Sequence, residues 1–123
     1  PDLEACGGNT RHAHWAQRHK AFQEQKRIWH GLIREQLVPP MPRFEYALAL
    51  VTLVFAEHRD RDQDGLSIAL KPLFDAMKTP GRHPGDYGWG ILAGDDGEHL
   101  QFSVTVEVDP KRAPLTTVWV RER

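Results

Sequence analysis

The chain has 123 residues, a formal net charge of −1, 40% hydrophobic residues and 27% charged ones. That length allows one domain with one modest core, spanning residues 1–123, and the composition is that of an ordinary soluble globular protein. No apolar run is long enough to span a bilayer and no signal peptide is visible. The lone Cys6 cannot form an internal disulfide and is compatible with a reducing cytoplasm.

The near-zero net charge hides an uneven distribution. Residues 1–43 carry Arg11, Arg18, Lys20, Lys26, Arg27, Arg34 and Arg43, with His12, His14, His19 and His30 among them. Residues 83–110 contain no Lys or Arg but hold Asp86, Asp95, Asp96, Glu98, Glu107 and Asp109. A basic arm beside an acidic centre suits a polyanion bound next to metal-holding carboxylates. The same distribution also fits a mixed solvated surface.

The first expected element is a helix from about Ala13 to Leu37, ended by Pro39-Pro40. Trp15, Phe22 and Trp29 recur at heptad spacing, and Leu32, Ile33 and Leu37 extend that stripe into one buried face. Lys20, Arg27 and Arg34 form a separate basic stripe, either a solvated face or a set of phosphate contacts. Next comes "YALALVTLVFA", Tyr46 to Ala56, a strand so aliphatic that both its faces are expected to be covered. A second helix is expected from about Gly65 to Lys78, with Leu66, Leu70, Leu73 and Met77 on one face and Phe74 alongside. A long Gly/Pro-rich loop follows, of a length often functional or mobile. "LQFSVTVEV" (Leu100 to Val108) and "LTTVWVRE" (Leu115 to Glu122) read as strands around the turn "DPKRAP". The expected fold is α/β, a single compact domain in the order α-β-α-β-β. Its sheet is mixed, with a βαβ unit and a C-terminal antiparallel hairpin.

The stretch "DRDQDGLSIALK", Asp60 to Lys71, opens like an EF-hand calcium loop. Such a loop needs a bidentate Glu at its twelfth position and a helix on each side. Here the twelfth residue is Lys71 and the preceding element reads as a strand, which argues against calcium. If the chain is still extended, Asp62 and Asp64 point to one side, and two carboxylates so close invite a cation such as Mg²⁺. Alternatively Asp64 caps the following helix and Asp60 and Asp62 are solvated. Lys71 and Asp75 are spaced i,i+4, either as a surface pair or as a positioned cation with its supporting carboxylate. Asp95-Asp96 ends the long loop. Simple βαβ topology places that pair at the opposite end of the sheet from Asp62 and Asp64.

Taken in order, "RDQDGLSIALKPLFDAM", "GILAGDDGEHL" and an expected terminal β-hairpin resemble the RusA family of Holliday-junction resolvases. "NTRHAHWAQRHKAF" is similar to that family's early Asn, His, Trp and Arg cluster. The resemblance implies a homodimer and a Mg²⁺-dependent endonuclease that resolves four-way junctions by paired nicks in recombination and repair. It also implies a bacterial, prophage or phage source. Asp62 and Asp64 match the metal-binding D-x-D, Lys71 the catalytic lysine and Asp96 the third essential aspartate, with Asp95 as auxiliary metal ligand. Arg11, Arg18, Lys20, Arg27 and Arg34 are candidate contacts to the DNA backbone, setting affinity and salt dependence more than sequence preference. Gly65 stands where the family pattern has Asn, and Gly97 where it has Ser. The loop from Thr79 to Gly94 is also expanded. Gly65 and the altered loop support an alternative, a junction-binding protein with weakened or lost catalysis.

Overall fold

The computed structural model describes residues 15–58, 63–83 and 86–123, and only the backbone of Trp15, Gln63 and Asp64. Two helices and three strands follow one another: α1 (Trp15–Gln36), β1 (Ala47–Phe55), α2 (Gln63–Met77), β2 (Leu100–Val108) and β3 (Leu115–Glu122). The α/β class, the element order and the mixed sheet are as the sequence predicts. None of the described helices is long and apolar enough to cross a membrane.

The sheet has the order β2-β1-β3. β1 and β2 run parallel, from Ala47↔Leu100 to Phe55↔Val108, and α2 lies between them in sequence as the crossover. β3 runs antiparallel, as expected of a C-terminal hairpin, but its hydrogen-bonded partner is β1, from Ala47↔Glu122 to Val54↔Leu115. The "DPKRAP" turn therefore carries the chain past the end of β1 instead of zipping β3 directly onto β2. The aliphatic β1 takes the centre, where both its edges are paired.

Ala47, Ala49, Val51 and Leu53 of β1 point to one side and are buried. Leu66, Ala69, Leu70, Leu73, Phe74 and Met77 of α2 meet them. Their spacing places them on one face of a helix, and the alanines on β1 let that face come close. Leu70, fully buried, contributes on the order of 2–3 kcal/mol. Phe74 and Phe102 touch, with ring centroids 4.8 Å apart, which ties α2 to β2.

α1 packs on α2. Its buried side includes Trp29 as expected, with Leu32 and Ile33 packed against the core. It also buries Gln25 and Lys26, which hydropathy alone assigns to the surface. The side of the sheet opposite the helices is not covered. Leu50 on that side is 43% exposed, against the expectation that β1 is buried on both faces. The reason is topological: one crossover helix and a helix packed on it serve only one side of a three-stranded sheet.

The long loop is largely folded. Ile91 and Leu92 are buried, and their amides donate to the carbonyl of Met77 at 2.8 and 3.1 Å. Leu92 bridges both Phe44 and Lys78. A Cβ at Gly88 would lie 2.1 Å from the backbone carbonyl oxygen of Lys78, so the close approach of this loop to the end of α2 requires glycine there.

Candidate functional site

Lys71 lies on the exposed side of α2, and its ammonium donates to Asp95 Oδ2 at 2.8 Å. The loop that leaves α2 turns back along the helix before entering β2, and this return brings the acidic pair to the lysine. The expected i,i+4 partner, Asp75, faces elsewhere. It binds Lys26 at 3.0 Å and Lys78 at 2.7 Å. Asp75 belongs to the α1–α2 interface, so it cannot serve as the supporting carboxylate of Lys71.

Asp96 opens β2 through a tight turn. Its Oδ1 accepts the amides of Glu98 (2.9 Å) and His99 (3.1 Å), while its main-chain carbonyl accepts the amide of Leu100 at 2.9 Å. The His99 imidazole lies 2.9 Å from Asp96 Oδ2. That contact holds Asp96 below the ordinary carboxylate value and raises His99 above the ordinary imidazole value. Ligand atoms of Asp96, Glu98 and His99 lie within 4.8 Å of one another, close enough to share a cation. Glu98 and His99 are missing from the sequence-derived set. The only signal for them was the run "DDGEH", which places a carboxylate and an imidazole within one turn of Asp96.

His99 is also stacked, parallel to Tyr46 (interplanar angle 2°, centroids 5.8 Å apart). Tyr46 is anchored by its backbone: its amide donates to Glu122 Oε2 at 3.2 Å, and its carbonyl accepts the Arg123 amide at 2.8 Å. The Arg123 guanidinium approaches the Tyr46 ring and donates to the carbonyl of Glu98. The beginnings of β1 and β2 and the end of β3 therefore meet at this site.

Of the D-x-D residues, only the backbone of Asp64 lies among the described residues. β1 ends at Phe55, well before it. Asp64 is the second residue of α2, so it is helical and the extended-chain argument for paired side chains does not hold. Asp64 and Lys71 lie two turns apart on the same stripe of α2, with about 10 Å of rise between them. Asp62 lies outside the described residues, as does Arg11.

Of the other basic residues, Arg18, Lys20, Arg27 and Arg34 are all exposed on α1. Arg27 is held by Glu24 in a surface pair at 2.6 Å. Lys26, one position away, is instead 3% exposed between Asp75 and Asp86, with its ammonium 4.2 Å from the centre of the Tyr87 ring. Next to it His30 stacks on Trp89 with centroids 4.2 Å apart, and Trp89 Nε1 donates to the His30 carbonyl at 2.8 Å. α1 is thereby fastened to the loop that leads to Asp95 and Asp96.

Compared with known proteins, the chain matches no family model, no curated protein and no solved structure.

Proposed function

We propose that the chain is a Mg²⁺-dependent endonuclease that acts on branched DNA as a homodimer, nicking four-way junctions in recombination and repair. The observation that carries this reading is the 2.8 Å contact between Lys71 and Asp95. It brings Lys71 to Asp95, the first residue of the acidic pair that the RusA-like motifs single out, although 24 positions separate them in sequence.

The donor set suits a hard divalent cation. Asp96 and Glu98 offer carboxylate oxygens and His99 one nitrogen, and oxygen ligands are what Mg²⁺ prefers. Asp96 and Glu98, with His99 beside them, would hold the ion, Asp95 would be auxiliary, and Asp62 and Asp64 are the remaining ligands in the family pattern. A Mg²⁺ ion held by these residues would supply charge neutralisation at a phosphoryl oxygen and a more acidic bound water. Lys71 extends into solvent and exchanges Asp95 for a phosphate oxygen, where its positive charge opposes the charge that builds up on the phosphate. The exposed cations of α1 neutralise the flanking DNA backbone. A two-fold dimer would present two such sites to two opposed strands.

A binding-only protein is the second reading. It is favoured by the ion pairs already formed, Lys71 with Asp95 and Asp96 with His99. Incubation with a synthetic four-way junction, with and without Mg²⁺, separates the two readings. Paired symmetric nicks that require Mg²⁺ support the endonuclease, and a junction shifted but uncut supports binding alone. Neither a shift nor a cut overturns both.

A further inference from the structure

The side of the sheet that the helices leave open has a defined composition. Paired residues on adjacent strands share a face. The register sets Leu50 between Ser103 and Trp119, and Leu48 between Gln101 and Arg121. One step earlier lie His99, Tyr46 and Arg123, joined by the stacking and backbone contacts described above. One step beyond Leu50 the row is Thr105, Thr52 and Thr117. Trp119 is 52% exposed and Tyr46 is 45% exposed. Two aromatic rings and one leucine therefore stand in solvent on a rigid surface, with two arginines and several hydroxyl groups around them.

We propose that this open sheet face binds an unpaired DNA strand, with Tyr46 and Trp119 as base-stacking platforms and Arg121 and Arg123 as phosphate contacts. An aromatic surface bordered by guanidinium groups matches a ligand that is both planar and anionic. From Tyr46 to Thr52 the charged side chains on this face, among the described residues, are Arg121, Arg123 and His99. The nearest carboxylates are Asp96 and Glu98 before His99, Glu107 after Thr105, and Glu122, which is already engaged by the backbone amides of Glu45 and Tyr46.

The spacing favours separated bases. Four residues of strand and one strand spacing put the two rings about 14 Å apart. Neighbouring bases in a duplex are about 3.4 Å apart, so these platforms suit nucleotides that have left the stack, as at a branch point. A second copy of the chain fits the face less well. Three strands of this length cover roughly 400 Å², about half of the roughly 800 Å² that each partner buries in a standard interface. The choice of DNA over RNA rests on the nuclease reading, and the face ends beside Asp96, so a strand lying on it would run toward the candidate metal ligands.

The test is fluorescence anisotropy with labelled oligothymidylate, oligouridylate and blunt duplex DNA of equal length, in EDTA so that no cleavage intervenes. Oligothymidylate should bind more tightly than duplex. Trp119→Ala and Tyr46→Ala should each weaken it about 5- to 100-fold, while Tyr46→Phe keeps affinity. Arg121→Gln should reduce the salt slope by about one, and Leu115→Ala, at the far end of the face, should change nothing. Equal binding of single strand and duplex, or indifference to the aromatic substitutions, overturns the proposal. So does tighter binding of oligouridylate, or sedimentation showing a dimer that Trp119→Ala dissociates. Mg²⁺-dependent junction cleavage that survives both alanine substitutions, with no single-strand preference, leaves the endonuclease standing without this platform. Single-strand binding lost in those variants, by a protein that cuts no junction, does the reverse.

Discussion

The ammonium of Lys26 lies 3.0 Å from the carboxylate of Asp75, in the interface between α1 and α2. Asp86 of the long loop reaches the same ammonium at 3.2 Å. One buried cation therefore joins three segments. Replacing it with methionine leaves two carboxylates short of a partner in a partly desolvated place. Lys26→Met should destabilise the protein by about 3 kcal/mol, read from urea unfolding. Arg27→Ala, which breaks only an exposed pair with Glu24, should leave the unfolding midpoint where it is. Equal midpoints for the two variants would refute this assignment.

The same cluster sets the acid limit. Burial pushes Asp75 up, but the ammonium groups of Lys78 and Lys26 together hold it below the ordinary value of 3.8. Asp86 is lowered by the Gly81 amide and by Lys26. Both carboxylates are depressed, so their stabilisation is complete above 3.8 and is lost as pH falls through the lowered values. His30 is lowered from 6.5 by burial, then by Lys26 and Arg34. It favours the fold as a neutral ring, and that contribution fades as pH falls below 6.5. Urea midpoints should therefore decline in two stages on acidification. Lys26→Met should flatten the lower stage, and His30→Phe the upper.

His99 has the opposite sign. The Asp96 carboxylate raises it above 6.5, so its contribution is present below 6.5 and disappears as pH rises through the raised value. An NMR titration should place His99 above the ordinary imidazole value of 6.5, and Asp96→Asn should return it toward 6.5. If Asp96, Glu98 and His99 share a divalent cation, adding Mg²⁺ should lower the His99 midpoint, and EDTA should restore it. A midpoint indifferent to Mg²⁺ would remove His99 from the ligand set.

Two glycines should respond in opposite directions. A Cβ on Gly88 would strike the carbonyl oxygen of Lys78, whereas a Cβ on Gly31 meets nothing within 4 Å. Gly88→Ala should cost about 1–3 kcal/mol by displacing the loop from the end of α2. Gly31→Ala, in the interior of α1, should stabilise by about 0.5–1 kcal/mol. Thermal unfolding of both variants checks the contrast.

Lys71 tests the chemistry separately from the fold. Its side chain is exposed and its pair with Asp95 is a surface contact, so Lys71→Met should leave stability almost unchanged. On the nuclease reading it should slow junction cleavage by about 10²–10³-fold while junction binding persists. Full cleavage by Lys71→Met would eliminate the proposed role.

Local pattern was enough to determine the elements. The aliphatic run of β1, the 4-3-4 spacing of α2, the alternation in β2 and β3, and the proline stop after α1 each encode their structure within a few residues. Asp64 could not be placed from pattern because its expected geometry depends on where β1 ends. That point is set by pairing with β2 and β3, and Asp64 falls in the helix instead. Asp95 meets Lys71, and Asp75 meets Lys26, only because the chain returns along α2 and α1 crosses it. Both are contacts between residues far apart in sequence. The burial of Lys26 is invisible to hydropathy, since a charged residue is buried only when partners arrive from elsewhere. The sequence by itself determined the helices, the strands and the uneven placement of acidic and basic residues. Tertiary structure alone decided which charges neutralise one another and which face of the sheet remains open, because both depend on how a single helical layer packs on one side of three strands.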